Sequence, residues 1–135
     1  LVKVLPYHPF LVKPNNHELG DIFGVKLSTR EEVVPYGKKL QEMGAQNVLI
    51  SMAGEGAVLI AADGQSMGAP APKGTLVNGV GAGDSMVAGF LTGWMEKKDY
   101  VHAFHMGIAA GSASAFSENL ATREEVLQVL QQVEQ

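Results

Sequence analysis

Residues 78–85 read Asn78-Gly79-Val80-Gly81-Ala82-Gly83-Asp84-Ser85, and they lie between an apolar stretch, Thr75-Leu76-Val77, and a long helical pattern. Closely spaced glycines at such a junction let main-chain N–H groups converge on one point. The start of the following helix adds its own unpaired N–H groups and a partial positive charge. A loop of this kind is an anion site, and phosphate is its common occupant. It is not a P-loop, which needs Lys directly after its last glycine, where this chain has Asp84. Nor does it fit the dinucleotide fingerprint: the third glycine falls one position early, and Asp84 stands where the pyrophosphate would press. A carboxylate in the first turn of a helix stays ionised, because the dipole and the free N–H groups favour its charged form. Beside an anion-stabilising loop it can accept a proton from a substrate hydroxyl while the amides steady a phosphoryl group in transfer. That chemistry asks for little beyond positioning, electrostatic stabilisation and such a base. On these residues alone a second reading stands beside it, in which Asp84 is only the N-cap of the helix, a role Asp fills often.

Working outward, the pattern alternates strands and helices. Pro6 and Pro9 break any opening helix, and Phe10-Leu11-Val12-Lys13 reads as a short buried strand ended by Pro14. Asn15-Asn16 is a turn or cap that leads into a short helix, Glu18 to Phe23, stopped by Gly24. Thr29 with Glu32 has capping-box spacing, repeated one step earlier by Ser28 with Glu31, and predicts a helix that ends at Gly44. Asn47 to Met52 and Ala57 to Ala61 read as strands, and Asp63-Gly64 as a hairpin turn. Ala69-Pro70-Ala71-Pro72 suits an edge strand or surface loop, since Pro cannot donate to a central ladder. Beyond the glycine loop, helices are expected over Asp84 to Lys97 and Tyr100 to Phe116, and a last one starts at Thr122. The sum is an α/β pattern with a mainly parallel sheet.

Composition narrows the classes further. With 10 Lys plus Arg against 14 Asp plus Glu the formal charge is −4, which supplies no basic stripe for a nucleic-acid backbone. The chain is 46% hydrophobic and 18% charged, a globular composition. No apolar run approaches a membrane span, so neither nucleic acid nor membrane is an expected partner. The absence of cysteine rules out a disulfide scaffold and thiolate metal sites, and is compatible with a cytoplasmic location. The chain opens on Leu1-Val2-Lys3-Val4 without Met and reaches a strand within a few residues. A parallel strand normally has neighbours on both sides. We therefore expect residues 1–135 to be the C-terminal part of a longer domain.

Three ordered motifs carry a resemblance. Asn78 followed by Gly81-Ala82-Gly83-Asp84 and Ser85 to Phe90 resembles the second signature of the ribokinase-like (PfkB-type) carbohydrate kinases. Lys13-Pro14-Asn15-Asn16-His17-Glu18-Leu19 resembles the family's Lys-Pro-Asn-x-x-Glu-Leu stretch. Ser51-Met52-Ala53-Gly54-Glu55-Gly56-Ala57 resembles its Ser-Leu-Gly-x-x-Gly-Ala turn, with Ala53 where the family often has Gly. The tail from Ala109 to Glu125 is most similar to that of 1-phosphofructokinases, with tagatose-6-phosphate kinases close by.

The resemblance implies a ribokinase-like three-layer α/β/α fold and an ATP-dependent, Mg²⁺-requiring kinase acting on a sugar phosphate. Fructose 1-phosphate is the leading substrate, converted to fructose 1,6-bisphosphate. Carried over residue by residue, Asp84 is the catalytic base, and Gly81, Ala82 and Gly83 form the anion hole. Asn15 and Glu18 place Mg²⁺ and its waters near the nucleotide phosphates, a mode suited to a hard ion that leans on few protein ligands. Lys13 approaches the phosphates as a point charge, and Ser51, Gly54 and Gly56 line the triphosphate. Gly79 departs from the family's usual Ser or Thr. The resemblance also implies an upstream half that supplies most sugar contacts and a small β lid with homodimer contacts, so these 135 residues alone should have negligible kinase activity.

Plainer roles remain open at several of these positions. Lys13 could be a solvated strand-end charge, and Asn15 with Glu18 no more than a helix cap. Ser51 to Gly56 could be only a tight connection, and the small residues from Gly107 to Ser114 either a close-packed helix or an adenine wall. A non-catalytic nucleotide-binding module is the alternative of another class.

Overall fold

The computed structural model describes residues 2–52, 55–70, 82–116 and 127–131. They belong to two compact units, 1–70 and 71–135.

The first unit opens with a 3-10 helix, Val2–Tyr7, that contains Pro6. Pro is compatible with this tight turn because its fixed φ suits it, so the proline excludes an opening α-helix but not helical turn altogether. Leu5 is buried at 1% exposure and joins the core of this unit. Strand β1 is only Leu11–Val12, shorter at both ends than the pattern suggests, and helix α1 follows at Asn16–Phe23. Gly24 closes α1 in the left-handed conformation at φ 68°, as expected of a stop residue.

Helix α2 runs over Arg30–Glu42 from the N-cap Thr29. Thr29, not Ser28, takes the cap: Glu32 N–H donates to Thr29 Oγ1 at 3.3 Å, and Glu32 Oε1 accepts from Thr29 N–H at 2.9 Å. Met43 is the C-cap in right-handed conformation, and the positive φ of 136° falls one residue on, at Gly44. The apolar stripe of α2, with Val33 and Leu40 fully buried, packs on the sheet.

Strands β2 (Asn47–Ser51), β3 (Ala57–Ile60) and β4 (Ser66–Ala69) complete a four-stranded sheet in the order β1-β2-β3-β4. β1 and β2 are parallel, joined by the α1–α2 crossover, whereas β2–β3 and β3–β4 are antiparallel. The expectation of a mainly parallel sheet is therefore corrected for the described strands: the sheet is mixed. The physical reason is connection length. The Met52–Gly56 and Ala61–Gln65 links are too short for a crossover and can only reverse the chain. β4, which ends at Ala69, stands at one edge of the described sheet with alternate residues exposed, and Ala71-Pro72 lie outside the described residues. β3 and the first four residues of β2 are buried on both faces, as their unbroken apolar runs require.

Among the described residues one polar side chain lies wholly inside. Asn47 is at 0% exposure and both its amide atoms are engaged: Nδ2 donates to Phe10 O at 2.8 Å and Oδ1 accepts from Ala62 N–H at 2.7 Å. It ties the segment leading into β1 to the β3–β4 hairpin, so burial of its amide is compensated.

The second unit is built on α3 (Ala82–Lys97) and α4 (Tyr100–Phe116), with a helical segment over 127–131. The two helices approach at glycine. A Cβ at Gly89 would lie 2.6 Å from the Met106 carbonyl oxygen and from Ala110 Cβ, so only hydrogen fits. Phe90, Phe104 and Ile108 are buried beside this contact. The apolar stretch Thr75-Leu76-Val77, the glycine-rich loop as far as Gly81, and the expected start of the last helix at Thr122 lie outside the described residues. None of the described helices is long and apolar enough to cross a membrane.

Candidate active site

Where β1 ends, the chain continues beside the C-terminal end of β2. Ser51 N–H donates to Pro14 O at 3.1 Å, and Asn15 forms an isolated parallel bridge with Ser51. Asn15 then turns the chain into α1. Its Oδ1 accepts from Glu18 N–H at 2.7 Å, while Glu18 Oε1 accepts from Asn15 N–H at 2.9 Å. This reciprocal pair satisfies two orphan amides of a helix only 8 residues long and puts an acid at its positive end.

On the other side of Ser51 the β2–β3 turn closes tightly. Met52 N–H donates to Gly56 O at 2.9 Å, and Glu55 N–H to Met52 O at 3.0 Å. Lys13, Asn15 and Ser51 are half-buried, and Glu18 is exposed. Lys13, Asn15, Glu18, Ser51 and Gly56 therefore gather at one end of the sheet, outside the carboxyl ends of its two parallel strands. That is the end at which open α/β sheets bind ligands.

The plainer reading of Asn15 and Glu18 as a cap is thus realised in full, and it leaves Glu18 Oε2 without a hydrogen bond among the described residues. This donor set suits Mg²⁺, which keeps most of its waters and takes one or two carboxylates rather than a protein cage. No group of three or more His, Asp or Glu converges among the described residues, so a side-chain cage is not on offer there. His102 Nε2 lies 3.6 Å from Glu96 Oε1, a carboxylate neighbour to this histidine that spacing alone does not reveal.

In the second unit Ala82, Gly83 and Asp84 are the first three residues of α3. The helix thus begins two residues earlier than the pattern suggests, and Asp84 falls in its first turn, as expected. Gly54 and Gly81 lie outside the described residues.

Residues 1–127 match the model of the pfkB family carbohydrate kinases. The chain belongs to this family. Among its curated relatives, the 1-phosphofructokinase of Bacillus subtilis is 53% identical over 133 residues, covering 98% of this chain and 44% of that protein. The D-tagatose-1-phosphate kinase of Bacillus licheniformis is 36% identical over 135 residues, covering 99% of the chain and 44% of the relative. A crystal structure from Staphylococcus aureus, assigned as a phosphofructokinase, superposes with a TM-score of 0.92 at 40% identity over 97% of this chain and 42% of that one. The ribokinase-like α/β fold expected from the motifs stands. The chain spans less than half the length of the curated relatives it matches.

Two residues with long-range side-chain bonds are not singled out by the motifs. At this end of the sheet Asn16 donates through Nδ2 to Leu27 O at 2.8 Å, and at the opposite end Asn47 clamps the strands. Local spacing carries no signal for either, because their partners lie 11 and 37 positions away.

Proposed function

We propose that this chain forms the ATP-binding, catalytic part of a sugar-phosphate kinase that transfers the γ-phosphoryl group of ATP to the 6-hydroxyl of fructose 1-phosphate. The observation that carries the reading is the 53% identity to a 1-phosphofructokinase across 98% of the chain. The glycine run and the first-turn acid of α3 give that likeness a chemical content.

In this reading the Asp84 carboxylate takes the proton of the 6-hydroxyl as the oxygen forms its bond to the γ-phosphorus. The bond from that phosphorus to the bridging oxygen breaks, and ADP leaves with the electron pair. Main-chain amides of Gly81, Ala82 and Gly83 steady the charge on the group in transfer. Lys13 contributes a positive charge toward the phosphates, and Ser51, Gly54 and Gly56 let the main chain approach them. Asn15 and Glu18 would hold Mg²⁺ through its water shell, and the ion when bound neutralises phosphate charge. The whole kinase is expected to pair as a homodimer in the cytoplasm.

A second reading changes only the sugar. It is favoured by the relative named D-tagatose-1-phosphate kinase, 36% identical over the same stretch. One experiment on the whole kinase addresses both readings: initial rates with fructose 1-phosphate, tagatose 1-phosphate, tagatose 6-phosphate and free fructose, for the wild type and Asp84→Asn. Fructose 1-phosphate should give the highest kcat/KM. Asp84→Asn should lower kcat on the order of 10³-fold while nucleotide binding is retained, the loss expected of a general base. Unchanged turnover in Asp84→Asn would remove Asp84 as the base, and a wild-type kinase that binds ATP but turns over none of these sugars would replace the enzyme reading by that of a nucleotide-binding module.

A further inference from the structure

We propose that Asn16 is a positioning residue for the Asn15–Glu18 pair: its side-chain amide locks the first turn of α1 to the loop that leads from α1 into α2, and so sets where the Glu18 carboxylate is presented. The inference rests on the reading of this end of the sheet as a Mg²⁺–nucleotide site.

Three observations converge on it. First, α1 has only 8 residues, too few for a helix to hold its own place, so its orientation depends on tethers. Second, the chain beyond α1 folds back along it. Val25 N–H donates to Gly20 O at 3.0 Å, and a Cβ on Gly20 would strike the Val25 carbonyl, so the returning loop lies hard against the helix. Third, that return ends where α1 begins, at the 2.8 Å bond from Asn16 Nδ2 to Leu27 O.

Leu27 itself is buried at 5% exposure, which makes its carbonyl a fixed anchor. Ser28 and Thr29, the next residues, are held by Glu32 at 3.0 and 2.9 Å. The Asn16 amide therefore joins the two capping boxes of this unit, one of which contains the site carboxylate. Main-chain pairing to Ser51 fixes Asn15 from the sheet side, and Asn16 fixes the same turn from the opposite side. A carboxylate that acts on a cation through waters is sensitive to such placement, because a small swing of the helix changes every water-bridged distance at once.

The test uses the whole kinase with Asn16→Ala and Asn16→Gln, the second retaining an amide donor on a longer arm. Two readouts are taken: Mg²⁺-dependent ATP binding by calorimetry, and hydrogen exchange of the Glu18 and Leu19 amides. With one hydrogen bond of ordinary worth removed, Asn16→Ala should raise the Mg²⁺ concentration for half-maximal ATP binding about five-fold. It should also speed exchange at Glu18 and Leu19 while the β2 amides are unchanged, and Asn16→Gln should recover part of both effects. An Asn16→Ala protein that melts earlier but keeps the wild-type Mg²⁺ dependence and Glu18 exchange overturns the inference, leaving the amide a purely structural bond. If the wild type itself shows no Mg²⁺-dependent ATP binding, the reading of the site fails first, and the inference with it.

Discussion

Glu32 shows how one side chain converts local spacing into a measurable property. A single carboxylate oxygen accepts from Ser28 N–H at 3.0 Å and Thr29 N–H at 2.9 Å. These main-chain bonds hold its pKa below the ordinary 4.5, outweighing the opposing effect of desolvation. Because the folded state favours the ionised form, the stabilisation is present above the unfolded pKa and is lost as pH falls through the lowered folded value. In Glu32→Gln the fall of Tm below about pH 4.5 should therefore be shallower than in the wild type, as thermal melts across an acid series would show. Identical acid limbs would mean that this carboxylate has no part in the pH dependence. The Thr29–Glu32 spacing is legible in the sequence, but Ser28–Glu31 is equally so, and only the folded chain chooses between them. The Asn15–Glu18 spacing is legible in the same way, as a cap and as a family motif at once.

Between elements, the contact of α3 with α4 depends on a missing side chain. The Gly-, Ala- and Ser-rich run of α4 signals close packing, but not which residue of α3 meets it. Gly89 and Gly93 do, and Gly89 more closely, at 2.6 Å in projected Cβ distance from the Met106 carbonyl, which is main chain and cannot move aside cheaply. Gly89→Ala should destabilise the protein by about 1–3 kcal/mol, since overpacking outweighs the gain in helix propensity. Urea unfolding followed by circular dichroism would register this as a lower midpoint with an unchanged m-value. A midpoint equal to or above that of the wild type would show that the helices can separate without cost. The sheet was only half legible. β1, β2 and β3 are marked by their apolar runs and the β3–β4 turn by Asp63-Gly64, but β4 carries no such run, and the mainly parallel sense expected does not survive the two short connections.

At the scale of the molecule, this chain covers 44% of the B. subtilis 1-phosphofructokinase it resembles. The proposed division of labour places the base, the anion hole and much of the nucleotide site in these residues, and most sugar contacts in the upstream half. The purified 135-residue chain should accordingly give negligible turnover of fructose 1-phosphate in a coupled ADP-release assay, against robust turnover by the whole kinase. Turnover of comparable size by the chain alone would show that the sugar pocket is complete within it. The two named relatives match over nearly the same stretch yet carry different sugars in their names, which fits a specificity set largely elsewhere.

Most of what depends on neighbours a few positions apart was determined by the sequence itself. The Asn15–Glu18 cap, a cap for α2 at Ser28 or Thr29, the Gly24 stop, the hairpin turn and the placing of Asp84 in a first helical turn follow from local spacing, because the groups that satisfy one another there are covalently near. The motifs that announce the family are likewise short and local. The tertiary structure alone decided which segments meet. It set Asn15 beside Ser51, anchored Asn16 on Leu27, buried Asn47 between Phe10 and Ala62, and made the sheet mixed. Such pairings are chosen by competition for burial and hydrogen bonds among distant parts of the chain, and no spacing along the sequence records the outcome.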